Sequence, residues 1–165
     1  MPQTTTATDL IARVDASQAR LAALASSAPQ PGSGMPAGGN EARWDAGQVW
    51  AHVAELIPYW IAEARRIVAG RGDDAPVPFG RVPEDGQRDR AIEAGRHRSA
   101  TEQWQSIVAG LDDFRAFAGS LSDDDWTALG LHVKGDQRTV RRVLTSSVVD
   151  HLEEHATQLE GLTKP

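Results

Sequence analysis

SVVDHLEEHATQLEGL, residues 147–162, decides how this chain is read. Stepping through positions 144, 148, 151, 155, 159 and 162 gives Leu, Val, His, His, Leu, Leu. The spacing is that of an apolar helix stripe, with two imidazoles where core residues belong. His151 and His155 stand at i and i+4, neighbours on one helix face about 5–6 Å apart. Two inward imidazoles are costly unless their nitrogens find partners. One shared cation satisfies both.

The same periodicity marks residues 45–69, with Val49, Val53, Leu56, Ile57, Trp60, Ile61 and Val68 on one stripe and Asp45 as the expected N-cap. His52 falls between Val49 and Leu56 on that stripe. Pro58 lies inside the pattern and is expected to kink the helix. Three inward histidines on two facing helices supply three nitrogen ligands and leave one position open. That is the arrangement of a catalytic rather than a closed structural zinc-type site. The alternative is three ordinary core histidines, each hydrogen-bonded to a carboxylate. Glu55, one turn after His52, and Glu154, beside the His pair, are the candidates to orient the imidazoles from behind. Either is otherwise a solvated surface charge. HLEEH also matches the inverted zinc-protease pattern H-x-x-E-H, but that site needs a ligand further downstream, and only ten residues follow His155.

Outward from these two segments, residues 8–27 carry a third stripe (Leu10, Val14, Leu21, Leu24, with Ser17 filling one step) with Thr8 or Asp9 as N-cap. A Pro/Gly/Ser-rich stretch to about residue 43 reads as a long loop. Residues 70–87 read as a second irregular loop. Residues 88–119 read as one helix, weakly periodic to about 103 and clear from Trp104 onward. Ser122 opens a short capped turn, and a loop leads to the last helix, 139–162. Neither an alternating strand pattern of useful length nor an internal repeat is present. The expected fold is all-α: an antiparallel four-helix bundle with long loops after helices 1 and 2. His97 is expected to face solvent. His132, in the loop before the last helix, is a candidate for the site mouth, and Trp44 for a wall of a substrate pocket. Arg65, Arg66, Arg96 and Arg98 are further pocket candidates, or otherwise surface charges that keep the chain soluble.

At 165 residues the chain is expected to form one domain, 1–165. It has no cysteine, which excludes disulfides, thiolate ligands and a Cys nucleophile. Any thiol chemistry must use an external thiol. The net charge of −6 without a basic stripe argues against nucleic acid as partner. No run approaches a membrane span, and the N-terminus lacks a secretion signal, so the cytoplasm is the expected location.

Trp44 and His52 (W-x7-H), the run AHVAELIPYW and the closing HLEEHATQL together resemble the DinB-like superfamily over nearly the whole chain. That superfamily includes the N-terminal domain of mycothiol-dependent maleylpyruvate isomerase and the bacillithiol transferases. The resemblance implies a four-helix bundle with a three-histidine metal site at His52, His151 and His155. It further implies a divalent metal ion, zinc or nickel, a homodimer, and chemistry joining a low-molecular-weight thiol of the mycothiol type to a small-molecule electrophile. The isomerase has a second domain after its bundle, whereas this chain stops three residues beyond its last helix, so that activity is not expected. Three readings stand open: a metal-dependent thiol S-transferase, a metal-dependent hydrolase, and a non-enzymatic metal-binding stress-response protein. No general acid or base is assigned.

Overall fold

The computed structural model describes residues 3–27 and 41–163. The expected loop after the first helix lies mostly in 28–40, outside the described residues. Helix α1 spans Gln3–Ser27. It therefore begins before Thr8 and Asp9, which lie inside the helix rather than capping it. A 3-10 turn, Glu41–Arg43, leads into α2, Ala46–Ala69. Asp45 caps α2 with a reciprocal capping box: Gln48 N donates to its carboxylate, and Gln48 Oε1 accepts from Asp45 N. Pro58 sits on the exposed side of this helix, which continues through it.

The expected single helix over 88–119 is instead two: α3, Gln87–Gly95, and α4, Ala100–Ser120. The break is written in residues 99–102, where Ser99 and Glu102 form a second capping box that starts α4 afresh. Its polar flank, RDRAIEAGRHRS, hides that start from a search for apolar periodicity. Helix α5, Asp123–Thr127, is the short turn capped by Ser122.

The region before the last helix holds strands that the sequence did not announce. β1 (Val77–Phe79) pairs in parallel with β2 (Leu129–His132), and β2 pairs antiparallel with β3 (Gln137–Thr139). Strands of three or four residues are too short to show an alternating pattern. The β2–β3 hairpin turns through Gly135 at φ 93°, a conformation that glycine adopts without penalty.

The last segment is continuous helix in three parts: α6 (Val140–Leu144), a π-helical turn (Thr145–Val149) and α7 (Asp150–Leu162). Thr139 caps its start, and the Asp150 N–H reaches back five residues to the Thr145 carbonyl. The π turn widens the buried face, so Ser147, Val148 and Val149 are all inside.

Four long helices close a ring. α1 packs on α4 and α7, and α2 packs on the same two from the other side. The core between them is apolar, with Val14, Leu21, Leu56, Ile61, Ile107, Phe114, Leu152 and Leu159 essentially out of solvent. Arg13 laces α1 to α7 by a fork on Glu153 and a bond to Asp150 (2.7–2.8 Å). No helix among the described residues is long and apolar enough to cross a membrane.

Candidate metal centre

α2 and α7 pack against each other, and the inward positions read from their stripes meet. His52, His151 and His155 each offer a nitrogen within 4.8 Å of the others. The His52 ring lies edge-on to both partners, at 6.0 Å from His151 and 4.9 Å from His155, while His151 and His155 stack at 5.5 Å. His52 and His155 are 4% and 3% exposed, and His151 is half-buried.

Each imidazole is held from behind. His52 Nδ1 lies 2.7 Å from Glu55 Oε1, and His155 Nδ1 lies 2.9 Å from Gln158 Oε1. A bond to the backbone of Ser146, within the π turn, engages His151. The carboxylate and the amide oxygen accept, so the proton of each neutral ring sits on Nδ1 and the Nε2 lone pair is left for another partner. Nε2 of His52 and Nε2 of His155 are both buried without any hydrogen bond. Buried nitrogens of this kind are normally satisfied. Their convergence fits the donor set of a borderline divalent cation such as zinc or nickel.

For the two histidines of α7 the electrostatics favour neutral rings. Burial, then the neighbouring His52, lowers His155 to about 4, and burial also lowers His151. Burial alone would raise the Glu55 carboxyl. Hydrogen bonds to His52 and to Arg81 (2.7 Å) outweigh it and hold the group below its ordinary value.

The expected orienting acids separate here. Glu55 sits behind His52, but Glu154 is exposed, and the residue behind His155 is Gln158. Gln158 is itself fixed by donating to the Glu41 carbonyl at 2.7 Å.

Above His52 and His151 opens a cavity of about 240 Å³. Ser147 joins the two histidines on one side, and Trp60 and His132 line another. Its cationic lining comes from Arg81, Arg88, Lys134 and Arg138. Trp44 does not line it. That indole is buried behind the metal-ligand candidates, edge-on to His52 (5.1 Å) and stacked toward His155 (6.4 Å). The arginines that line it are not the four pocket candidates. Arg65 is paired with Asp113, Arg66 with Glu63 and Arg96 with Glu93, while Arg98 and His97 face solvent.

His132 does reach the cavity, from β2. It is 4% exposed, wedged between Trp60 (6.4 Å, stacked) and Phe79 (5.2 Å, edge-on). Gly80 makes room for it. An added Cβ there would lie 2.5 Å from His132 Nε2, and the backbone has φ +90°. The loop is fastened by Glu63, buried on α2, whose carboxylate accepts from Gly80 N. Gly80→Ala is expected to cost about 1–3 kcal/mol through overpacking and strain, measured by urea unfolding. An unchanged midpoint would show that the ring and loop move aside freely.

No family model and no curated protein sequence matches this chain. Two solved structures do align with it: the crystal structure of the mycothiol-dependent maleylpyruvate isomerase and that of a histidine-to-alanine mutant of the same protein. Each gives a TM-score of 0.66 at 15% identity and covers 96% of this chain. The chain spans 61% of the length of each. The helical ring described above thus shares the fold of the aligned part of the mycothiol-dependent maleylpyruvate isomerase.

Proposed function

We propose that the chain is a metal-dependent thiol S-transferase that joins a low-molecular-weight thiol of the mycothiol type to a small-molecule electrophile. The observation that carries this reading is the pair of buried, unpartnered Nε2 atoms of His52 and His155 meeting His151 beneath an open cavity. The thiol is suggested by the aligned isomerase, which is described as mycothiol-dependent. It is also consistent with a chain that has no cysteine of its own. His52, His151 and His155 would hold a zinc or nickel ion. Such an ion supplies Lewis acidity that stabilises a thiolate near neutral pH. Glu55 and Gln158 fix the two ring tautomers, and the cavity receives the reactants on the side of His52 and His151.

The reading is tested by electrophile conjugation with and without mycothiol, on metal-loaded and metal-stripped protein. Turnover that needs both metal and thiol is expected. Metal-dependent turnover of an ester or amide without thiol would replace this reading by a hydrolase. Bound metal with neither activity would leave a non-enzymatic metal-binding protein. Glu55→Gln is expected to weaken metal affinity roughly 10–100-fold, as loss of an orienting carboxylate does. Competition against a chelating dye measures this, and undiminished affinity would remove Glu55 from the site. The homodimer implied by the resemblance is checked by light scattering, where a monomer at high concentration would exclude it.

A further inference from the structure

We propose that the β2–β3 hairpin forms an anion-binding pole in this cavity, built from His132, Lys134 and Arg138, that takes a carboxylate group of one reactant. The inference rests on the cavity being the reactant site, but it does not depend on a metal.

Two of the four cations around the cavity are held by carboxylates from outside the hairpin. Arg81 is held by Glu55 at 2.7 Å, and Arg88 by Glu41 at 2.6 Å and Asp89 at 3.2 Å. The hairpin supplies the other two. Lys134 has no ion-pair or hydrogen-bond partner for its ammonium among the described residues. Arg138 binds Asp136 through Nε (2.6 Å) and Nη2 (3.1 Å), which leaves Nη1 without a partner among the described residues. Asp136 therefore orients the guanidinium without using all of its donors.

His132 adds a directional donor. The backbone N–H of Lys134 donates to His132 Nδ1 at 3.2 Å, so Nδ1 must carry a lone pair and the ring proton sits on Nε2. Asp136 is also near Nδ1, at 3.7 Å, but that contact is longer than a hydrogen bond and does not displace the amide. Nε2 has no protein partner among the described residues, and the ring, packed against Gly80, belongs to the lining of the cavity. One neutral N–H and two cationic donors thus lie on one hairpin along the lining of one cavity. This set matches a carboxylate, which accepts several charge-assisted hydrogen bonds at once. The hairpin gathers these donors in a chain whose net charge is −6.

The test uses the full chain stripped of metal, with succinate as probe and succinamide as its uncharged counterpart. Binding is followed by the Nε2 shift of His132 in nitrogen-15 NMR and by calorimetry. Succinate is expected to shift that signal and to saturate, and succinamide is not. Lys134→Gln, and separately Arg138→Gln, should each weaken succinate binding roughly tenfold, the weight of one charge-assisted hydrogen bond. His132→Phe, which keeps a ring between Trp60 and Phe79, should do the same. Absence of succinate binding, equal binding of succinamide, or undiminished affinity in Lys134→Gln would each overturn the anion pole while leaving the three-histidine reading intact. Binding that appears only after zinc is added, and is indifferent to Lys134, would also overturn it. In turnover assays, a Lys134→Gln effect on KM for a carboxylate-bearing electrophile alone assigns the anion to the electrophile. An effect on KM for the thiol alone assigns it to the thiol.

Discussion

His155→Ala is expected to take metal content from one equivalent per chain to trace amounts while the helical circular dichroism stays largely intact. His155 is the best enclosed of the three candidate ligands, 3% exposed. Its Nδ1 is committed to Gln158 and its Nε2 has no other partner. The remaining pair, His52 and His151, offers two nitrogens, too few to hold a divalent ion firmly against water. The fold should persist because the helices are secured by an apolar core to which this ring contributes little. Its removal also relieves a buried polar group that nothing else among the described residues satisfies. Elemental analysis after dialysis, beside the wild type, reads the outcome. Stoichiometric metal in the variant would remove His155 from the site. A parallel His97→Ala variant, altering an exposed histidine in the turn between α3 and α4, should retain its metal and controls for general damage.

Metal-free protein should lose stability as the pH falls from about neutral toward 4. The folded-state value of His155 is about 4, against 6.5 for the free side chain. As the pH drops, the unfolded chain takes up this proton first, so protonation favours unfolding throughout that window. The contribution is fully present above about 6.5 and is gone once the pH has passed below the folded value. Its size is about 3 kcal/mol for this one group. His151 and His132 are lowered too, mainly by burial, and add in the same direction. Urea unfolding of stripped protein at about pH 7 and about pH 5 measures the effect. His155→Leu should flatten the dependence. An unfolding free energy independent of pH over that range would show that the ring titrates normally and is not enclosed.

The sequence made the helices and the central histidines readable for one reason: a period of 3.6 leaves a visible trace wherever a helix buries one face. Leu56 after His52, and Leu159 after His155, mark the stripes as plainly as any core residue. Other features leave no such trace. The three strands are each shorter than one recognisable alternation. The division of α3 from α4 was present as Ser99 and Glu102, but it lies within a polar run where apolar spacing is silent. Arg81, Arg88 and Arg138 come from a loop, a short helix and a hairpin, and only the tertiary fold collects them around one cavity. Gln158 carries no charge to mark it as a partner of an imidazole, although its amide oxygen accepts the same hydrogen bond as a carboxylate.

The π turn at Thr145–Val149 also bears on how this chain is to be aligned with others of its shape. In an ordinary α-helix, losing one residue swings everything downstream by about 100° and draws it in by about 1.5 Å. Here one residue more than the α ladder requires is already accommodated, as the five-residue reach from Asp150 to Thr145 shows. Deleting a residue within 145–149 would therefore restore plain α geometry and leave both flanks in phase, with His151 and His155 still turned toward His52. A chain of the same fold that lacks the extra residue would carry its equivalent positions one place earlier. A gap in this helix is thus a legitimate feature of an alignment, and at low identity it decides whether the histidine positions are superposed or missed.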